Sequence, residues 1–139
     1  MKTTLLTMAF ALLAFIPQVF AMDGTVEATK EAPIKAVVFY SDSCGSCKIL
    51  EPNMMKAMGA INTDKIDVVK FDFSNKDKIA ATRTLAADKG VEATLQQYGA
   101  KTGFVILLND KGEEVGKLKV DDDAAAIAAK VTAAIIAAS

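Results

Sequence analysis

The chain contains only two cysteines, Cys44 and Cys47, which stand three positions apart in the segment FYSDSCGSCKILEP. An apolar run rich in β-forming residues, 34–40, precedes them and predicts a strand buried on both faces. Apolar residues at helical spacing follow over about 44–58, and residues 41–43 offer loop and N-cap side chains between the two elements. The sequence therefore predicts a dithiol between a buried strand and the start of a helix.

The rest of the chain repeats strand and helix patterns. Further strands are predicted at 66–73, at 104–108 and, after a strong turn signal, at 113–120. Further helices are predicted at 75–87, at 92–98 and along the Ala-rich segment that follows the acidic residues 121–123. The first β-α-β crossover makes two strands parallel, and the last two strands form a hairpin. The predicted fold class is α/β, a three-layer sandwich whose mixed sheet of four to five strands carries helices on both faces.

The first 21 residues have the layout of a secretory signal peptide. Lys2 provides a positive start, residues 5–20 are almost continuously apolar, and small residues precede a cut after Ala21. The apolar run is shorter than the roughly 20 residues that span a bilayer. We therefore predict cleavage, with no stable membrane span afterwards.

The predicted organisation is a signal peptide at 1–21, a polar lead-in at 22–33 and one folded domain at 34–139. Export would place the domain in the periplasm or outside the cell, where disulfides persist.

Composition argues against several function classes. The formal net charge is −1, from 16 basic and 17 acidic residues without a basic patch, so we expect no nucleic-acid binding. The chain has no histidine, which excludes Cys-His and Ser-His catalysis and removes the commonest metal ligand.

Three uses of a lone dithiol can be compared. As a structural staple it would close a very small loop, which restrains the unfolded chain little. As a zinc site it lacks two of four ligands. Cu(I) accepts two thiolates, and Met54, Met55 and Met58 are near in sequence, although we expect these methionines to pack in the core.

A redox dithiol fits the context better. A cysteine at a helix N-terminus meets the positive end of the helix dipole, so the pKa of Cys44 is expected to be lowered. Cys47 lies one turn further on, and Gly45 and Ser46 keep the intervening turn small. Strand, loop and C-x-x-C opening a helix is the context that a redox motif requires.

These features resemble the thioredoxin superfamily. The segment VVFYSDSCGSCKILEP is similar to that family's strand, active-site loop and first helix, including a kinking proline, Pro52. The segments IDVVKFDF and YGAKTGFVILLNDKGE resemble its next strands. The resemblance covers about 34–138 and implies a thioredoxin-like fold. It also implies that Cys44 is the exposed attacking cysteine and Cys47 the buried resolving one.

The chain departs from the family pattern beside the cysteines. Val38 stands where the family carries a buried acid, and Lys70 matches a frequently buried lysine but is expected here to reach outward. Phe104, after Gly103, stands where the family has a cis-proline. A cis bond before Phe costs roughly 3–4 kcal/mol, so a trans bond is expected.

The sequence leaves open what Gly103 and Phe104 do. In one interpretation Gly103 absorbs the altered backbone and Phe104 packs in the core. In the other, Phe104 reshapes the substrate groove.

Two functions remain as hypotheses. The first is an exported thiol-disulfide oxidoreductase whose Cys44/Cys47 dithiol exchanges disulfides with protein or small-molecule substrates and with a redox partner. It would need no metal and no cofactor besides its own redox-active disulfide. The second is a non-catalytic module of the same fold, or a Cu(I)-binding dithiol protein.

Overall fold

The computed structural model describes residues 32–139 of the chain. The predicted signal peptide and residues 22–31 of the predicted lead-in lie outside the described residues, and the domain boundaries stay predictions. The elements, in chain order, are β1 (Ile34–Tyr40), α1 (Gly45–Met58), β2 (Ile66–Asp72), α2 (Lys76–Asp88), α3 (Glu92–Tyr98), β3 (Phe104–Asn109), β4 (Glu114–Leu118) and α4 (Ala124–Ala137). A short 3-10 turn, Thr63–Lys65, which the sequence pattern did not predict, leads into β2.

The sheet has four strands in the order β2-β1-β3-β4 among the described residues. β1 and β2 are parallel, whereas β3 is antiparallel to both of its neighbours, β1 and β4. The mixed sheet predicted from the sequence is therefore confirmed. Phe39, near the end of β1, pairs with Phe71 on one side and with Phe104 on the other. β1 is therefore an inner strand of the sheet, and its end leads directly into the loop that carries Cys44.

Helices cover both faces of the sheet, as predicted. The first core lies between one face and the helices α1 and α4. Its buried members are Ile34, Ala36, Leu50, Ala57, Ile66, Val105, Leu107, Leu118, Ile127, Val131, Ala134 and Ile135. The predicted apolar stripe of the last helix, Ile127, Val131 and Ile135, faces this core.

The second core lies on the opposite face, beneath α2 and α3. Its buried members are Val37, Phe39, Val69, Phe71, Ala86, Val91, Phe104, Ile106 and Leu108. Aromatic rings are concentrated here, so this face supports the end of β1 with large rigid side chains. Within residues 32–139, no helix has both the length and the hydrophobicity that a membrane crossing requires.

Replacing Ile106 with Ala should lower the free energy of unfolding by about 2–5 kcal/mol, because truncation in a packed core leaves a cavity. Ile106 is 0% exposed in the second core. Ile136→Ala is the matched control: Ile136 is 70% exposed on α4, and its truncation should change stability by no more than about 0.5 kcal/mol. Urea unfolding measures both variants, and equal losses would contradict the placement of β3 in the core.

Candidate active site

The two cysteines lie where β1 passes into α1. They form a disulfide with a Cα–Cα distance of 5.3 Å. Cys44 is half-buried, whereas Cys47 is only 5% exposed. The structure therefore makes one sulfur of the pair accessible and buries the other.

Cys44 is itself the N-cap of α1, so the prediction that residues 41–43 supply the cap was wrong. Its backbone is extended, and its Sγ accepts a hydrogen bond of 3.2 Å from the N–H of Cys47. Ser41 and Ser43 instead bond to each other through their hydroxyls at 2.9 Å. The sulfur of Cys44 thus occupies the place that a capping oxygen fills in other helices.

The start of α1 favours negative charge at Cys44. Its first turn contains no acidic residue, so no side-chain carboxylate there opposes the partial positive charge of the helix N-terminus. In the reduced protein, the N–H of Cys47 and the helix dipole therefore both stabilise a thiolate at Cys44.

The carbonyl oxygen of Phe39 joins the two loops of the site. It lies 3.6 Å from the Sγ of Cys47. The same oxygen accepts a hydrogen bond of 2.8 Å from the N–H of Gly103. One backbone atom of β1 therefore fixes both the buried cysteine and the loop that precedes β3.

Gly103 lies directly against the cysteine loop. Its φ is +93°, a value that L side chains rarely adopt, and an added Cβ would lie 2.8 Å from the Cβ of Ser46 and 3.4 Å from the Sγ of Cys44. A Cβ at Gly45 would meet nothing within 4 Å. The close approach of the two loops therefore depends on the absence of a side chain at Gly103. A side chain at Gly45 would extend into open space.

Phe104 belongs to the core. It is 9% exposed, and its ring stacks on Phe39 with a centroid distance of 4.6 Å and an interplanar angle of 20°. The peptide bond before Phe104 is trans, as expected, since residues 32–139 contain no cis bond. The ring of Phe104 therefore packs in the second core, and it also lines a cavity beside Cys47.

Lys70 reaches outward, as expected. Its side chain is 44% exposed, with Nζ 3.3 Å from an oxygen of Glu51 and 3.6 Å from the ring centroid of Tyr40. Val38 lies beside Lys70 in the sheet register and packs against the first core. Sequence reasoning missed Glu51, although its spacing of four residues after Cys47 on a predicted helix was a usable signal.

A cavity of about 230 Å³ lies between α1 and the sheet, beside Cys47. Its lining is Val38, Phe39, Tyr40, Cys47, Leu50, Glu51, Met54, Met55, Met58, Val68, Lys70 and Phe104. Met54 and Met58 pack against the first core, as predicted. For Met55 the prediction was wrong, because this residue is 72% exposed at the open side of the cavity. No group of three or more His, Cys, Asp or Glu side chains within the described residues could hold a metal ion.

One family model and several solved structures are similar to this chain. The family model described as Thioredoxin matches residues 23–133. Among solved structures, the fold is similar to StoA from Bacillus subtilis, with a TM-score of 0.50 and 15% identity over 72% of this chain and 83% of that one. It is equally similar to an oxidoreductase named DsbH, with a TM-score of 0.50 and 16% identity over 79% of this chain and 78% of that one.

A further structure, Trxlp from Edwardsiella tarda, has a TM-score of 0.47 and 22% identity over 74% of this chain and 85% of that one. No protein of curated function matches the sequence. The family match and the two likenesses at 0.50 confirm the predicted thioredoxin-like fold.

Replacing Gly103 with Ala should destabilise the protein more than Gly112→Ala does. Both glycines have a positive φ, +93° and +77°, but a Cβ at Gly112 meets nothing within 4 Å. The unfavourable backbone should cost about 1–2 kcal/mol at either position. At Gly103 the contact with Ser46 should add about 1–3 kcal/mol of overpacking.

Urea unfolding of the oxidised protein measures the difference between the two variants. Adding Ser46→Gly to Gly103→Ala should recover the additional loss, because it removes the Cβ that the new methyl group meets. Equal losses at Gly103 and Gly112 would mean that the two loops do not touch as described.

Proposed function

The chain belongs to the thioredoxin family, and on that basis we propose that it is an exported thiol-disulfide oxidoreductase that works through Cys44 and Cys47. The observation that carries the proposal is the arrangement of the two sulfurs. A half-buried Cys44 begins α1, and a buried Cys47 lies one turn further on, bonded to it. This arrangement separates an attacking group from a resolving one.

Reduction of a substrate proceeds in two exchanges. The Cys44 thiolate attacks a substrate disulfide, a bond forms between Cys44 and one substrate sulfur, and the other substrate sulfur leaves as a thiolate. Cys47 then attacks Cys44, so the Cys44–Cys47 bond forms and the first substrate sulfur leaves. Two electrons pass from the dithiol to the substrate. The reverse sequence oxidises a substrate dithiol.

Gly103 supports access to Cys44. A Cβ at this position would lie 3.4 Å from the Sγ of Cys44, so any larger side chain there would cover the attacking sulfur. The glycine leaves that side of the sulfur open to a substrate disulfide. Access to Cys47 is blocked by its burial, which directs the first exchange to Cys44.

The proposed substrates are proteins or small molecules that carry a thiol or a disulfide. After each exchange the dithiol changes redox state, so a redox partner must restore it. The proposed location is the periplasm or the exterior of the cell. It rests on the signal-peptide pattern of residues 1–21 and on the persistence of disulfides in oxidising compartments.

Cys47→Ser should trap a mixed disulfide through Cys44, because the first exchange remains possible and the second does not. Cys44→Ser is the matched control and should trap little, since the remaining thiol is buried. The reduced variants would be mixed with a disulfide-containing unfolded protein and examined by non-reducing electrophoresis and intact mass. If the two variants trapped equal amounts of mixed disulfide, and their thiols were alkylated over the same pH range, the result would favour the non-catalytic module.

Exported protein should begin at Met22, because the residues before it fit cleavage by signal peptidase. Intact-mass analysis of protein recovered from the exported fraction measures this directly. If Met1 were retained in that fraction, the interpretation of residues 1–21 would change from a signal peptide to a membrane anchor.

A further inference from the structure

A tight turn between β1 and α1 places Cys44 at the start of the helix. The N–H of Cys44 donates to the carbonyl oxygen of Ser41 at 3.0 Å, so Asp42 and Ser43 are the central residues of a four-residue turn. Both central residues are exposed, whereas Ser41 is 8% exposed. Packing therefore holds one end of the turn and does little for its centre, which depends on polar contacts.

The loop between β2 and α2 provides two such contacts. The N–H of Phe73 donates to the carbonyl oxygen of Tyr40 at 2.9 Å, a backbone bond that continues the pairing of β1 with β2. The N–H of Asp42 donates to the hydroxyl oxygen of Ser74 at 2.9 Å, and this bond reaches the centre of the turn. Asp42 also accepts a bond from the Tyr40 hydroxyl, but that contact is exposed and holds a side chain rather than the backbone. The Ser74 hydroxyl is therefore the side chain that ties the backbone of the turn to β2.

Asp72 fixes the direction of the Ser74 hydroxyl. Its Oδ1 accepts from this hydroxyl at 2.5 Å and from the N–H of Ser74 at 3.0 Å. Burial raises the pKa of Asp72, but the hydrogen bonds from Ser74 and the charges of two nearby lysines outweigh it and hold the pKa below its ordinary value. An ionised carboxylate has no proton to donate, so the hydroxyl gives its proton to Asp72 and turns a lone pair to Asp42. Donation to a charged acceptor also makes the hydroxyl oxygen a stronger acceptor itself.

The end of β2 is in turn held by α2. The hydroxyl of Thr82 accepts from the backbone N–H of Asp72 at 2.9 Å and lies 3.1 Å from the carbonyl oxygen of the same residue, to which it donates. Thr82 is 3% exposed, so this contact is shielded from water. A continuous set of hydrogen bonds thus runs from a buried residue of α2, through Asp72 and Ser74, to the turn that carries the attacking cysteine.

We propose that Ser74 is a positioning residue for Cys44, with Asp72 orienting its hydroxyl; the assignment rests on the proposed function. Ser74 holds the turn in the shape that begins α1 at Cys44. In that shape the Sγ of Cys44 lies 3.2 Å from the backbone nitrogen of Cys47 and meets the positive end of the helix dipole. Without the hydroxyl, water replaces it at the N–H of Asp42, and the turn is free to move Cys44 out of the capping position.

The test measures Cys44 in two ways. The pH midpoint for alkylation of the reduced protein, read at Cys44 by peptide mass, reports the pKa of this thiol. In Ser74→Ala the midpoint should rise by about one pH unit, because part of the stabilisation of the thiolate is lost.

The second measurement is the equilibrium with glutathione, in which two glutathione thiols reduce the Cys44–Cys47 bond and leave as one glutathione disulfide. At a pH above both alkylation midpoints, Ser74→Ala should shift this equilibrium about tenfold toward the oxidised protein, or about 30 mV in reduction potential. The two shifts should match, because one pH unit and a tenfold change express the same free energy.

Three further variants make the test specific. Ser74→Thr keeps a hydroxyl and should stay within about twofold of wild type in the glutathione equilibrium. Asp72→Ala should shift both measurements in the direction of Ser74→Ala by a smaller factor, and should add no shift to Ser74→Ala, because it acts through that hydroxyl.

Asn75→Ala is the matched control. Asn75 follows Ser74 and caps α2 by accepting from the N–H of Lys78 at 2.9 Å. Its loss should lower the midpoint of urea unfolding, since a helix cap is removed, and should leave both measurements at Cys44 unchanged.

The outcomes separate the two proposals. Matching shifts in Ser74→Ala that Ser74→Thr restores and Asn75→Ala lacks support the assignment. If Ser74→Ala lowers the urea midpoint and leaves Cys44 unchanged, or if Asn75→Ala shifts Cys44 equally, the assignment is overturned while the proposed function stands. A wild-type dithiol that does not exchange with glutathione overturns the proposed function, and the alkylation midpoints then still decide whether Ser74 positions Cys44.

Discussion

The carbonyl oxygen of Phe39 is the atom on which the site depends. It contacts the sulfur of Cys47 and accepts the N–H of Gly103, so it binds the start of α1 and the loop before β3 to the end of one central strand. The ring of the same residue lies among Phe71, Phe104 and Tyr98 in the second core. The backbone of Phe39 is therefore held by packing on one side and by two sheet neighbours on the others. A reactive pair is positioned by rigid core structure rather than by a flexible loop.

Much of the fold could be predicted because local sequence and tertiary structure agree. The strand β1 and the helix α3 end at the predicted residues, since turn-forming residues border both patterns. The cap of α1 was missed because a sulfur is a weak acceptor and cysteine is not among the residues that usually cap helices. The pair of Glu51 with Lys70 was missed because its partners are 19 residues apart, and only the tertiary fold brings them together.

Apolar and charged groups lie on different sides of the cavity beside Cys47. Val38 makes the strand beneath the cysteine apolar, and the charged groups of this region, Glu51 and Lys70, lie instead on the exposed side of the cavity. A charge there keeps most of its hydration, whereas a charge on the central strand would need a buried partner. The core of residues 32–139 thus contains no charged side chain. Its methionines give the cavity an unbranched, polarizable wall that adapts to what it contacts.

The cap formed by Cys44 also couples the redox state of the chain to its folding. Folded and unfolded protein, each oxidised or reduced, form a closed thermodynamic cycle. Any free energy with which the start of α1 stabilises the Cys44 thiolate is available only in the folded reduced state. Around the cycle, the same free energy makes the disulfide easier to reduce in the folded chain than in the unfolded one. A hydrogen bond that looks like local helix capping is therefore also a determinant of oxidising power.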